Sequence, residues 1–236
     1  MSRPFLSVII PCFNEEKRLG QSLEKMLAYL RAQNYPWEMI VVDDGSSDGT
    51  VKTAEEKLTG VPHRILRNVY NEGKGEAVRR GVLEARGEYV LFSDADLSTP
   101  IEEIEKLLKK LKDGFDVAIG SRGLGASQVK VRQNLIRESM GKIFNHIARI
   151  FSFSRIRDSQ CGFKCFRSET GKDLFGAQKL KGFSFDAEIL YLAQKRGYPI
   201  AEVPVIWRNA PHSHVHILKD SLRMFFDVMR IRWIHR

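Results

Sequence analysis

The chain has 236 residues, 43% of them hydrophobic and 28% charged, with 38 lysines and arginines against 29 aspartates and glutamates for a formal net charge of +9. That content builds a core and excludes a disordered chain, and the length suits one large domain or a domain with an appendage. The positive surplus asks for an anionic partner and leaves open whether it is nucleic acid, a membrane surface or a phosphorylated substrate.

Phe5 to Ile10 is a β-branched run closed by Pro11 and reads as a buried strand; the few residues before it carry no signal-peptide pattern. Asn14-Glu15-Glu16 opens a helix whose Leu19, Leu23, Met26, Leu27 and Leu30 fall at helical spacing. Glu38 to Val42 is the next strand, and it ends in a turn-rich loop, Asp43 to Thr50, that leads into another helix. His63 to Arg67 is a weaker strand, and Asn71 to Gly75 opens a helix running to Leu83. Tyr89 to Phe92 is a strand that runs into Asp94-Ala95-Asp96. A helix is expected over Pro100 to Leu111, then a strand over Asp116 to Gly120 that ends in Ser121-Arg122.

Beyond Arg122 the pattern changes. Gly123 to Lys130 reads as a mobile Gly/Ser-containing loop, and Arg132 to Phe151 as a helix carrying Arg132, Arg137, Lys142 and Arg149. Gly162 to Arg167 is expected to be a strand, and Ser184 to Lys195 a helix with Asp186 in its first turn. Ile200 to Trp207 is a strand interrupted by Pro204, which places it at a sheet edge. From about Ile217 a long amphipathic helix closes the chain. Its apolar stripe runs through Leu218, Leu222, Phe225, Phe226, Met229 and Trp233, and Lys219, Arg223, Arg230, Arg232 and Arg236 make a basic one. Such a helix either lies on an anionic membrane surface or packs on the domain. The expected division is a main α/β domain over 1–212 and this helix over 213–236. No apolar run approaches the length that crosses a bilayer.

Strands alternating with helices imply βαβ units and a mainly parallel sheet, whose ligands bind beyond the carboxyl ends of the strands. Pro11 to Glu15, Asp43-Asp44, Asp94 to Asp96 and Arg122 all fall there. On an extended backbone Asp94 and Asp96 project to one side, and two adjacent carboxylates repel unless a cation lies between them. Mg2+ suits such a pair together with substrate phosphates. A lone Asp-X-Asp more often just ends a strand and begins a turn; four polar clusters at equivalent strand ends favour a site. Gly73-Lys74-Gly75 has a phosphate-loop look without the Walker pattern, and no GxGxxG follows the first strand, so ATP hydrolysis and hydride transfer are disfavoured. Cys12, Cys161 and Cys165 lack metal spacing and read as reduced thiols of a cytosolic protein, with Cys161 a core residue rather than a nucleophile. His212, His214 and His216 read as a solvated loop.

Ile9 to Glu16 (IIPCFNEE), Val41 to Thr50 (VVDDGSSDGT), Asn71 to Gly81 (NEGKGEAVRRG) and Asp94 to Pro100 (DADLSTP) resemble the family 2 glycosyltransferases of GT-A fold, an α/β class with a mainly parallel sheet flanked by helices. Arg157 to Phe166 (RDSQCGFKCF) and Phe183 to Leu190 (FSFDAEIL) are similar to the dolichyl-phosphate β-glucosyltransferase branch. The resemblance covers the chain from Leu6 to about Trp207 and implies glucosyl transfer from UDP-glucose to a polyprenyl phosphate, by a peripheral enzyme on the cytoplasmic face of a membrane. It implies that Pro11, Phe13 and Glu15 line the nucleotide pocket, that Val42 and Asp44 hold uracil and ribose, and that Lys74 and Ala95 lie at the same site. Asp94 and Asp96 are then expected to bind ribose and a Mg2+ or Mn2+ on the diphosphate. Ser98 stands where related mannosyltransferases carry a glutamine ligand, so Ser98 or a water in its place is the expected third ligand. Arg122 and Arg137, with Arg132, are expected to hold the donor and acceptor phosphates. Asp186 stands where other family members place a base, which a phosphate acceptor does not need. The alternatives are mannose from GDP-mannose, or a glycan hydroxyl as acceptor. A nucleic-acid partner is disfavoured, because the basic residues alternate with apolar stripes and no recognition motif is present.

Overall fold

A computed structural model describes the backbone of residues 3–131, 156–208 and 217–236, and their side chains apart from 130–131 and 217–223. The strands are β1 (Leu6–Cys12), β2 (Trp37–Asp43), β3 (His63–Arg67), β4 (Tyr89–Ser93), β5 (Val117–Ser121), β6 (Gln128–Val131), β7 (Phe163–Arg167), β8 (Ile200–Pro204) and β9 (Ile206–Arg208). The helices are α1 (Glu16–Arg31), α2 (Thr50–Leu58), α3 (Lys74–Glu84), α4 (Ile104–Lys112) with a single 3-10 turn, Ile101–Glu103, ahead of it, α5 (Ser168–Ala177), α6 (Phe185–Lys195) and α7 (Ile217–Ile234).

The main sheet has the order β3-β2-β1-β4-β7-β5-β8, and β6 and β9 form a separate pair. Its pairings are parallel except where β7 runs antiparallel between β4 and β5. Both faces are covered, as parallel sheets require. In β1, Val8 and Ile10 join the core that holds α1, α2 and α4, while Ile9 joins the core that holds α3, α5 and α6. The helical stripe Leu19, Leu23, Met26, Leu27 and Leu30 is buried as expected, each such side chain contributing about 1.5–3 kcal/mol of apolar burial.

The structure corrects the sequence reading in several places. Gln128–Val131, expected within a loop, is a strand paired in parallel with β9. Pro204 ends β8 at the sheet edge, and the next residues leave the main sheet and offer β6 a partner. α5 was not expected: its glycines, Gly171 and Gly176, weaken the helical signal. The expected helix over 132–151, with Arg132 and Arg137, lies outside the described residues, as do His212, His214 and His216.

The apolar residues of α7 divide between two faces rather than forming one stripe. Val228 and Ile231 are buried in the α3–α5–α6 core, and Asp227 accepts a hydrogen bond from Ser184 Oγ at 2.9 Å. His235, just past the helix, pairs with the buried Glu188 of α6 at 2.5 Å. The outward residues Phe226, Met229 and Trp233 are 64%, 40% and 68% exposed. Arg230, Arg232 and Arg236 are exposed beside them.

Candidate active site

β1 and β4 are neighbours in the sheet, and the chain leaves them toward opposite edges, β1 into β2 and β4 past β7 into β5. This is a topological switch point, where open α/β sheets place their crevice. Both exit loops use left-handed backbone, Asn14 at φ 53 and Leu97 at φ 50. Asparagine tolerates that region; leucine is rarely found there and marks a constrained turn. The turn at Leu97 folds the Ser98 N–H back onto Asp96 Oδ1 at 2.9 Å. A cavity of about 1090 Å³ opens between these loops, lined by Arg18, Asp96, Leu97, Ile101, Ile206 and Arg208 among others.

The β1 and β2 exit loops are sewn together. Asn14 N donates to Ser46 Oγ at 2.8 Å, Ser47 N to Asn14 Oδ1 at 2.9 Å, and Glu15 N to Thr50 Oγ1 at 2.7 Å. The Glu15 carboxylate is held by Arg18, whose Nη2 donates at 2.6 Å. Pro11 and Phe13 are half-buried at the end of β1 and just beyond it. Val42 and Ala95 are different. Both are buried in the cores. Asp44 is buried and engaged by Asn68 Nδ2 at 2.7 Å, Glu72 N at 2.9 Å and Gly73 N at 2.8 Å. Its first duty is to pin the 68–73 segment that launches α3 and Lys74. With about four lone-pair sites, a carboxylate so engaged retains capacity for one more donor.

Asp94 and Asp96 leave the end of β4 together. Lys74 Nζ lies 2.6 Å from Asp94 Oδ1, and Arg18 Nη1 lies 4.0 Å from Asp96 Oδ2. Asp94 Oδ1 is buried, and its contact with Lys74 lacks the alignment of a hydrogen bond. Burial, and next the Asp94 charge, raise the Asp96 carboxyl above the ordinary carboxylate range. Two crowded oxygen donors whose second ionisation is disfavoured fit a hard divalent cation. Ser98, expected beside them, donates its backbone N–H to Asp96. Among the described residues no cluster of three or more His, Cys, Asp and Glu side chains adds further ligands, so substrate oxygens and water would complete the shell.

The antiparallel β7 brings the segment Asp158–Lys164 to the same end of the sheet, because Phe163 pairs with Ser93 and Lys164 with Phe92. Gly162 O accepts the Asp94 N–H at 3.0 Å. A β-carbon on Gly162 would fall on the Asp94 carboxylate, within 2.5 Å of Oδ1. Lys164 is fully buried and donates to Asp186 Oδ1 at 2.5 Å and Cys161 O at 2.6 Å. Burial raises the Asp186 carboxyl, opposed by Lys164 and Lys74. Burial opposes the charge of Lys74, and Asp94 and Asp186 outweigh it, leaving its affinity for the proton raised. Burial also pushes the Cys161 thiol up to about 11, in keeping with a core residue.

Arg122 is less available than expected. Its Nε and Nη2 donate to Asp158 at 2.7 and 2.8 Å, its backbone N donates at 2.9 Å, and the guanidinium stacks 5.4 Å from the Trp207 ring. Nη1 makes none of these bonds. Burial by itself would raise the Asp158 carboxyl, but Arg122 outweighs it and pulls the value down to about 2. A lowered folded value contributes stability above the unfolded one, near 3.8, that is lost as pH falls through about 2. Acid unfolding between pH 5 and pH 2 is therefore expected to remove about 2 kcal/mol through this one group. Asp158→Asn should flatten that part of a denaturant-midpoint titration, and an unchanged slope would exclude it.

Gly162, Lys164 and Asp158 were missed as site residues in the sequence. The signal for Gly162 and Lys164 was the QCGFK block, where a lysine stands among the apolar residues of a core strand; Asp158, just ahead of it, carried no such signal.

The family model described as glycosyl transferase family 2 matches residues 7–188. Curated relatives similar to this chain include the dolichyl-phosphate beta-glucosyltransferase of Drosophila melanogaster, 37% identical over 97% of this chain and 74% of that protein. That of Homo sapiens is 35% identical over 96% of this chain and 74% of that protein. Among solved structures, glucosyl-3-phosphoglycerate synthase from Mycobacterium tuberculosis in complex with uridine-diphosphate superposes with TM-score 0.73 at 21% identity, covering 97% of this chain and 80% of that one. The same synthase in complex with Mn2+, uridine-diphosphate and glucosyl-3-phosphoglycerate superposes with TM-score 0.67 at 20% identity, covering 97% of this chain and 78% of that one. These structures share the GT-A fold with this chain.

Proposed function

This chain belongs to glycosyl transferase family 2, and on that premise we propose that it moves glucose from UDP-glucose to a polyprenyl phosphate of dolichyl type, with inversion, at the cytoplasmic face of a membrane. The observation that carries this reading is the agreement of relatives from slime mould to human, all named dolichyl-phosphate beta-glucosyltransferase, over 96% or more of the chain.

The donor would lie across the carboxyl ends of β1, β2 and β4, with Phe13 and Glu15 at its rim. Asp94 and Asp96, with Ser98 beside them, would hold a Mg2+ or Mn2+, which when bound neutralises the diphosphate leaving group. A phosphate oxygen of the acceptor attacks the anomeric carbon, the bond to the UDP oxygen breaks, and its electron pair leaves with UDP. The acceptor's second ionisation lies near pH 6, so the attacking oxygen already carries charge and no proton has to be removed. What the protein must supply is cationic groups around two anions, and Lys74 and Arg122 stand at that end of the sheet. Arg132 and Arg137 are proposed to join them.

The test is a donor screen with purified protein, Mn2+ and a polyprenyl phosphate. UDP release from UDP-glucose, and no nucleotide release from GDP-mannose or UDP-GlcNAc, is the expected result. Transfer from GDP-mannose alone would overturn the choice of sugar, and transfer to a glycan hydroxyl alone the choice of acceptor.

Among the described residues no helix is long and apolar enough to cross a membrane. The outward face of α7, with Phe226, Met229 and Trp233 between exposed arginines, suits the headgroup region of an anionic bilayer. Replacing Phe226 and Trp233 by serine leaves the inward Val228 and Ile231 in place. Co-sedimentation with anionic liposomes should fall roughly fivefold while UDP binding holds. Unchanged co-sedimentation would put the membrane contact elsewhere.

A further inference from the structure

We infer that Lys164 is a positioning residue for transfer: its ammonium locks Asp186 into a buried ion pair, which takes that carboxylate out of service as a proton acceptor and makes the site one for an acceptor that arrives already ionised. The inference rests on the reading of the chain as a phosphate glucosyltransferase and narrows the chemistry of its acceptor.

A lysine is almost never buried completely unless it is paired. Lys164 is 0% exposed, its Nζ lies 2.5 Å from Asp186 Oδ1, and the carbonyl of Cys161 takes a second of its protons at 2.6 Å. Asp186 is itself 3% exposed, in the first turn of α6. The pair is separated from Lys74 by the Phe92 ring. Lys164 Nζ lies 5.2 Å from the centroid of the Phe92 ring and Lys74 Nζ lies 6.0 Å from the same ring. Lys74 in turn is in contact with Asp94 and attracted by Asp186. The charges therefore alternate, Asp94, Lys74, Asp186, Lys164, from the expected metal site to the interior.

A general base must present its carboxylate to the proton it removes. Asp186 instead gives its Oδ1 to Lys164 and is attracted electrostatically by Lys74. With Lys164 present the group is balanced and Lys74 is held toward Asp94, beside the expected diphosphate. Without Lys164, Asp186 has Lys74 as its main counter-charge and draws it away from Asp94. A hydroxyl acceptor would find no competent base in this pair. A phosphate acceptor needs none, since the electron pair that forms the new bond is already on its oxygen.

The test is a double-mutant cycle on the full chain, with UDP binding measured for each variant to count folded sites. Lys164→Gln and Asp186→Asn each leave one buried charge without its partner, and each should lower kcat about 100-fold with acceptor KM within about threefold. The double variant Lys164→Gln/Asp186→Asn replaces the ion pair by a neutral amide pair and should recover to within about tenfold of the parent, because contacting residues couple in this way. Lys164→Arg, which keeps the charge, should exceed Lys164→Gln in kcat. A double variant that binds UDP yet is as inactive as Asp186→Asn would overturn the inference, because Asp186 would then act on the acceptor directly. A parent enzyme that glucosylates a hydroxyl acceptor and not polyprenyl phosphate would overturn the functional reading itself, and this inference with it.

Discussion

Asp96→Ala is expected to lower transfer by about 1000-fold, the range seen when a preorganised group that stabilises developing charge is removed. Asp94→Ala should be nearly as severe. The two differ in what surrounds them. Asp94 has Lys74 at 2.6 Å, so some positive charge remains near the diphosphate if its carboxylate goes. Asp96 has Arg18 no closer than 4.0 Å, and Arg18 is committed to Glu15. Neither substitution should unfold the protein. Burial and the neighbouring Asp94 both disfavour the Asp96 charge, so its removal relieves repulsion, and the thermal midpoint should hold or rise. The same reasoning predicts that EDTA stops turnover and that Mn2+ restores it. Full activity in EDTA would sink the metal-dependent reading. An Asp96→Ala enzyme that keeps a tenth of its activity would move the diphosphate to another part of the crevice.

Much of this site was legible in the residues, and the reason is local. Strands ending in Pro11, Asp43-Asp44 and Asp94 to Asp96 declare themselves through short apolar runs that stop at polar turns, and the parallel sheet follows from their alternation with helices. The amphipathic α1 is equally plain. What the sequence conceals is set by pairings between distant segments. Nothing in FKCFR says that β7 enters between β4 and β5 in the opposite direction, yet that placement carries Gly162 to Asp94 and Lys164 to Asp186. The bond between Arg122 and Asp158 joins two loops across the site and turns an apparent phosphate ligand into a braced one. Asp44, expected against uracil and ribose, is largely taken up by three donors from the 68–73 segment. Val42 and Ala95, expected at the nucleotide, are buried in the two cores, Val42 on β2 and Ala95 just beyond β4. For α7 the helical period was visible, but an apolar side chain looks the same in sequence whether it faces α6 or solvent.

Gly162 tests the tertiary part of this account most sharply. Its φ is not in the left-handed region, so alanine would meet no backbone strain there. In an open place such a change is stabilising, by about 0.4–1 kcal/mol, through the unfolded chain. Gly162→Ala should nevertheless be deeply inactive. The added β-carbon would occupy the space of the Asp94 carboxylate, within 2.5 Å of Oδ1. The backbone bond from Asp94 N to Gly162 O, at 3.0 Å, ties the two residues together, so the chain cannot simply move apart. The carboxylate must rotate, leaving Lys74 and any metal shared with Asp96. A misplacement of about 1 Å at a reacting centre costs about 100-fold, and kcat/KM is expected to fall by that much with the fold intact. Gly176→Ala, where nothing lies within 4 Å of the added carbon, is the control and should keep full activity. The mechanism makes one further demand. If Gly162→Ala acts by displacing Asp94, it should do no added harm in an Asp94→Ala background, because the group it displaces is already gone. A second, multiplicative loss in the double variant would show that Gly162 serves something other than Asp94, and the packing of carboxylate on glycine would then be incidental to transfer.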